Sequence, residues 1–465
     1  MRHQALAALV LIFPQATLAQ VGRSPSNPLV ESSAGRAWQR ITFGAIDCGV
    51  NLSEAADYCP NDAFTKQGIF VNGTYKDLRF QYSGAPLGTP GVAENLSNRV
   101  LNQSQTFPAA SSASGFTFSW KGGATPVRDS EMFGPLFGDR GRTNGRGQWS
   151  TTLTFQQLKW ETVDSFDVRD VATTPTGGIG AAAGLPWGDP AYLTSDGIAY
   201  GYVGRCEMNI DTSTITLTAN YGITDRFDVA VAVPLVHSTV RGSNEFLDFA
   251  RFSDGSYSID PVDTAFVPQG RFFVKGSSTG IGDVAMQATL ALVKSTGAAV
   301  ALQGRLDLGT GDLQKMTGTG ETRGGGGLVA SWEAGRLAPH GSVHYFVGNE
   351  ALFDEFRYTA GLDFNVSRDR LTLSGEVVGR RLFDVEGFQQ GAVRGRVVSP
   401  VTRDVFEIKD FVASRGDFNL FFVTAGGKAR LAGQLLASAY VLIPIGDQGL
   451  QAQKPTFNLG FNYAF

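Results

Sequence analysis

The sequence is short of the residues that most chemistry needs. Its 465 residues include four His and three Cys, and 39 Lys and Arg stand against 43 Asp and Glu, a formal charge of -4. A nucleic-acid binder would carry a basic excess, so no nucleic-acid partner is expected. No stretch reaches the roughly eighteen continuous apolar residues of a membrane-crossing helix. No His, Cys, Asp and Glu cluster has metal-ligand spacing, so neither a metal nor a cofactor is expected. Gly318-Thr319-Gly320-Glu321-Thr322-Arg323-Gly324 lacks the strand and helix that a phosphate loop needs on its two sides. Cys48 and Cys59 lie close in sequence, and in an oxidising periplasm a local bridge is expected, two free thiols being the alternative. Cys206 is left over, as a free thiol or as a partner of either.

Glycine and phenylalanine are abundant, at 58 and 33 residues, and the mean hydropathy is near zero, at -0.05. That mixture suits strands with one apolar and one small polar face. The last ten residues show it best. Phe457, Leu459, Phe461, Tyr463 and Phe465 share one face, and Thr456, Asn458, Gly460, Asn462 and Ala464 share the other. About ten residues at a period of two describe one tilted pass through a bilayer. A final strand ending on Phe465 makes the barrel-assembly machinery an expected partner.

At the other end, Met1-Arg2-His3 is a short basic run, Ala5 to Phe13 is apolar, and Thr17-Leu18-Ala19 offers small residues. Residues 1–19 therefore read as a signal peptide. An exported chain that enters a membrane without apolar helices has one option, a closed barrel that pairs every backbone group. The expectation is an all-β, transmembrane antiparallel β-barrel of about twelve strands in the bacterial outer membrane, surrounded by lipid.

Alternating segments fall at 147–160, 207–221, 226–240, 280–294, 298–309, 325–334, 339–347, 354–366, 370–381, 415–425, 428–442 and 455–465. Short connections near 222–225, 295–297, 335–338, 367–369 and 426–427 alternate with longer ones, including 382–414, as periplasmic turns and extracellular loops do. Gly324-Gly325-Gly326-Gly327 reads as a flexible loop root. Residues 20–146, rich in Ser, Pro, Asn and Gly, read as an irregular N-terminal segment. It either hangs in the periplasm or plugs the barrel formed by 147–465. Its aromatics Phe116, Phe118, Trp120, Phe133 and Phe137 need a partner surface, which favours roughly 105–146 lying inside.

Tyr221-Gly222-Ile223-Thr224-Asp225-Arg226-Phe227-Asp228-Val229 followed by Val233-Pro234-Leu235, Gly280-Ile281-Gly282-Asp283-Val284, and Leu308-Gly309-Thr310-Gly311-Asp312 resemble motifs of the outer-membrane transporters associated with the meta-pathway of phenol degradation. Gly309 stands where that family has proline. The resemblance covers the barrel and implies import of hydrophobic or aromatic compounds, without naming a substrate.

In this register Arg305, Asp307, Arg357, Asp363, Glu376, Arg380 and Arg430 face the lumen. Ionisable rings along a pore set its selectivity; charges paired across strands can equally brace a filled barrel. His340, Ser342 and His344 share a strand face. Nucleophilic catalysis needs a base within reach of the serine, but the polar neighbours of this face place it toward the lumen, away from lipid, and no enzyme activity is expected. The leading reading is a passive channel or importer for small, hydrophobic or aromatic solutes. A structural or surface-binding barrel with a blocked lumen is the alternative, and a lipase-type barrel enzyme ranks third.

Overall fold

The computed structural model describes residues 132–163, 198–252, 271–295, 297–348, 352–367, 370–398, 405–446 and 455–464. It also describes short pieces, among them 29–31, 33–35, 166–169, 171–173 and 448–452. The signal peptide, Cys48, Cys59, Phe465 and most of 105–131 lie outside the described residues.

The barrel strands are β1 (Trp149–Val163), β2 (Ile198–Gly222), β3 (Phe227–Phe252), β4 (Arg271–Ile281), β5 (Val284–Lys294), β6 (Ala298–Leu308) and β7 (Arg323–Trp332). They continue as β8 (Leu337–Val347), β9 (Glu355–Ser367), β10 (Leu371–Val398), β11 (Val405–Ala432), β12 (Leu435–Ile445), β13 (Leu450–Ala452) and β14 (Thr456–Ala464). β4 and β5 both pair with β3, broken at Gly282-Asp283, and β13 and β14 both pair with β1. The segments therefore fill twelve positions. Each strand pairs antiparallel with its neighbours, and β14 closes on β1 through Asn458↔Gln156 to Ala464↔Ser150.

Closure sorts the side chains by parity. On β14 Phe457 is 67% exposed and Phe461 47%, whereas Asn458 is 1% exposed and Thr456 4%. The same inversion holds around the wall. Leu217, Val233, Leu290, Leu302, Leu328, Val343, Leu362, Leu373 and Leu459 stand on the outer surface, while Thr218, Gln303, Ser342, Asp363, Thr372 and Asn462 are buried inside. Such a face is stable in hydrocarbon, where the closed ladder satisfies the backbone. Trp149 stacks near Tyr221, ring centroids 4.5 Å apart, beside the short-turn end, which is periplasmic in barrels of this class. Toward the opposite end outward-facing charges appear, as Arg241 with Asp211 (2.8 Å) and Arg381 with Asp417 (2.7 Å). β2, β3, β10 and β11, at 25 to 28 residues, run well past a ten-residue crossing.

The structure corrects three expectations. No turn occurs at 426–427; β11 runs through Gly426-Gly427 and reverses at Gly433-Gln434. Gly426 is required there because Tyr440 of β12 lies across it and leaves no room for a Cβ. The connection expected at 382–414 is largely a continuation of β10 and β11, which stay paired as far as Val398↔Val405. The four glycines are not a loop root but part of β7; a Cβ at Gly325 or Gly327 would run into the rings of Phe346 and His344 on β8.

Leu302→Arg places a charge on the hydrocarbon face near the middle of β6. It should lower stability by about 2–4 kcal/mol, measured by urea unfolding in lipid vesicles.

Candidate functional site

The lumen holds two layers of charge. In the layer away from the short turns, Glu355 opens β9 and is wholly buried. It accepts from Arg380 (Nε 2.8 Å, Nη2 2.9 Å), from Arg357 Nε at 2.8 Å and from Arg323 Nη1 at 3.1 Å. Arg323 Nε reaches on to Asp307 (3.0 Å), which also accepts from Arg305 Nε (2.8 Å). Cross-strand register produces this ladder, since Asp307 pairs with Arg323 and Arg357 with Arg380. The Phe346 ring lies 5.0 Å from the Arg323 guanidinium and 4.8 Å from that of Arg357, which fixes both planes. Buried ions at this density hold only when each finds a partner.

The second layer lies nearer the short turns. His340 Nδ1 stands 3.6 Å from Asp363 and His340 Nε2 stands 3.7 Å from Glu376, all three side chains being at most 3% exposed. Ser374 donates to Asp363. One ligand atom from each of the three falls within 4.8 Å of the others, a grouping that spacing in the sequence did not show. It does not make a metal cage. The two imidazole nitrogens face different carboxylates, and the Glu376 oxygens are already taken by amides.

Those amides belong to residues 132–146, which cross the lumen as a strap. Leu136 N (2.5 Å), Phe137 N (3.0 Å) and Gly138 N (2.7 Å) donate to Glu376. Lys428 Nζ donates to the carbonyl oxygens of Phe133 (3.4 Å) and Pro135 (2.5 Å). On the other side Asn144 N donates to Asp228 (2.6 Å), Lys294 Nζ to Thr143 (3.2 Å), and Arg142 pairs with Glu333 at 3.2 Å. Arg430 meets the strap too, its guanidinium 5.9 Å from the Phe133 ring. An irregular segment inside a barrel has no ladder for its amides and carbonyls, so side chains from the wall must satisfy them.

Over Leu136 and Phe137 the wall is apolar. Val378, Leu382, Leu420, Phe422, Tyr440 and Leu442, on β10, β11 and β12, pack with them as one buried cluster. Phe137 meets Tyr440 edge-on at 6.5 Å. Inward apolar side chains also occur on β1 to β3, as Leu158, Trp160, Met208, Ile210, Val236 and Val240, but this cluster is the one that packs on Leu136 and Phe137 of the strap.

A sheet closed on itself, with an outer surface of apolar and aromatic side chains, decides the class. The chain is a membrane-spanning β-barrel. No protein-family model and no curated protein sequence matches it. Among solved structures it is similar to an outer membrane channel from Pseudomonas putida F1, at 11% identity over 70% of this chain and 98% of that one, with a TM-score of 0.38. It is also similar to a Pseudomonas aeruginosa FadL homologue, at 11% identity over 68% and 89% and a TM-score of 0.27. A third is the deltaS2S3 mutant of TodX, a monoaromatic hydrocarbon channel, at 9% identity over 75% and 94% and a TM-score of 0.29. At such identities the assignment rests on the barrel's own faces.

The seven lumen candidates do not form one ring. Arg305, Asp307, Arg357 and Arg380 join the first layer, Asp363 and Glu376 the second, and Arg430 stands apart against Phe133. Sequence reasoning left out three partners. Arg323 was hidden at the edge of the glycine run, Lys428 beside the misplaced turn, and Glu355 at the very start of its strand. Ser342 Oγ bonds Thr359 Oγ1 (2.8 Å), and His344 Nε2 bonds Gln303 (2.8 Å), so neither histidine is set to activate the serine. The Gly-x-Gly-Asp and Thr-Gly-Asp motifs pin the 309–322 loop. Asp283 accepts from Gly311 N (2.9 Å) and Thr319 N (2.6 Å), and Thr310 Oγ1 donates to Gly282 O (2.7 Å). The loop turns inward, where Ser238 Oγ donates to Met316 O (2.6 Å).

Two substitutions test the strap. Glu376→Gln removes the charge that three amides share and should weaken strap docking by about 1.5–3 kcal/mol; faster hydrogen exchange at Leu136 to Gly138, with the barrel intact, is the expected outcome. Glu355→Ala strands three guanidiniums and should cost the whole barrel about 3–5 kcal/mol, seen as unfolding at lower urea.

Proposed function

We propose that this barrel is a passive outer-membrane channel for small hydrophobic or aromatic solutes, working without covalent chemistry. The observation that carries the proposal is the apolar patch on the lumen wall, occupied by Leu136 and Phe137 of the strap. A wall that only braced itself would continue the polar pairing seen on β6 to β9. An apolar patch on the lumen wall offers burial to an apolar solute, worth roughly 25 cal/mol for each Å² removed from water. In this reading Phe137 is the solute's competitor, and displacement of the strap from the patch opens the path. The hairpin motifs that resemble the phenol-degradation transporters support aromatic compounds as the class.

The strap is held by ion–dipole contacts from Glu376, Lys428 and Asp228, which release piecemeal, whereas the first charge layer stays fixed in the wall. A blocked, purely structural barrel remains the rival reading, and its support is the strap's anchorage on both sides of the lumen.

Flux of benzyl alcohol into proteoliposomes separates the two. The intact chain should pass it above the empty-vesicle rate, and Glu376→Gln should raise that rate severalfold. A barrel impermeable to every small solute, in both forms, sinks the channel reading and leaves the structural one.

A further inference from the structure

The contacts that hold the strap are those that recognise a peptide backbone. Three successive amides, Leu136 N, Phe137 N and Gly138 N, converge on the Glu376 carboxylate at 2.5, 3.0 and 2.7 Å. Just upstream, Lys428 Nζ donates to the carbonyl oxygens of Phe133 (3.4 Å) and Pro135 (2.5 Å). Glu376 and Lys428 are both buried, 2% and 9% exposed. They stand on the adjacent strands β10 and β11. An anionic acceptor and a cationic donor thus read N–H and C=O groups, which belong to any peptide.

Side-chain selectivity comes from what surrounds these two ions. Leu136 and Phe137 enter the patch of Val378, Leu382, Leu420, Phe422, Tyr440 and Leu442. Arg380 lies between Val378 and Leu382 along β10 and marks the edge of that patch. A Cβ on Gly138 would stand 3.0 Å from Thr359 Oγ1 and 3.5 Å from Glu376 Oε2, so the residue after the apolar pair must be small. Pro135 has no amide to satisfy, and its carbonyl is taken by Lys428. The wall is therefore matched to a run of proline, an apolar residue, an aromatic residue and glycine.

We infer that this wall is a recognition site for a short linear peptide with such a core, and that the strap is its occupant in cis. The site faces the lumen, so its ligand is an unfolded chain and not the surface of a folded partner. The inference goes beyond passage of small solutes and shares only the apolar patch with it. A tethered strap competes at an effective concentration on the order of millimolar. Free peptide should therefore bind the parent chain weakly, and bind well once the strap's own side chains no longer fill the patch.

The test is binding of a labelled peptide, Phe-Gly-Pro-Leu-Phe-Gly-Asp-Arg, the sequence of 133–140, to the full-length barrel in detergent, read by fluorescence anisotropy. The double variant Leu136→Ser with Phe137→Ser should bind it at least about tenfold more tightly than the parent, since the strap then loses its apolar burial. In that variant, the same peptide with serine for its leucine and phenylalanine should bind at least about tenfold more weakly. Adding Glu376→Gln should weaken the original peptide by about tenfold, the scale of a charge-assisted contact. Adding Arg381→Gln, on the outer face, should leave it unchanged. If the double variant does not fold, Phe137→Ser alone takes its place, and Lys428→Gln replaces Glu376→Gln on the same ground. Equal binding by parent and variant, no preference over the serine peptide, or indifference to the wall substitution overturns the site. Benzyl alcohol flux is read separately. Peptide binding without flux rejects the channel and keeps the site, and flux without peptide binding does the reverse.

Discussion

Every backbone N–H and C=O that crosses hydrocarbon must find its partner within the protein. In this chain β14 meets that demand by closing onto β1, and the rest of the architecture follows from the closure. A closed sheet has two faces in different solvents. Phe457, Leu459 and Phe461 gain stability by facing lipid, which leaves Thr456, Asn458 and Asn462 to face inward. The interior of such a protein is thus built from the residues a soluble domain would expose, and its polar groups must satisfy one another.

Twelve strands enclose more space than the wall's own side chains fill, since about eight strands already make a packed interior and about sixteen an open channel. The inward loop at 309–322 and the strap at 132–146 occupy part of that space. Each brings unpaired backbone groups into it, and the wall answers with ions: Glu376 under three amides, Asp228 under another, Lys428 over two carbonyls. The arginine ladder around Glu355 works differently. Its groups are fixed to one another across strands, through Glu355 and Asp307. In the proposed channel the charged wall would act as the filter and the strap as the part that yields.

Much of this was legible one strand at a time. A period of two is a local property, and it assigned Arg305, Asp307, Arg357, Asp363, Glu376, Arg380 and Arg430 to one face without knowledge of any neighbour. The errors came where glycine was read as an interruption. Gly426-Gly427 and Gly324 to Gly327 look like turns because glycine tolerates any backbone conformation. Here they are strand residues, and at Gly426, Gly325 and Gly327 the reason is space, since Tyr440, Phe346 and His344 from adjacent strands lie over them. That reason belongs to the partner strand and leaves no mark in the local pattern. Arg323 and Lys428 were overlooked because they bordered those glycines.

The sequence by itself determined that this chain forms a membrane barrel, the side of the wall faced by residues within its alternating segments, and all but one of the short turns, because alternation and turn chemistry act within a few residues. Only the tertiary structure decided which charges meet, that Glu376 of the metal-like trio with His340 and Asp363 holds the strap, and that Arg380 borders an apolar patch. Those pairings depend on register between strands and on a segment far away in the chain, and register is set by closure of the whole sheet.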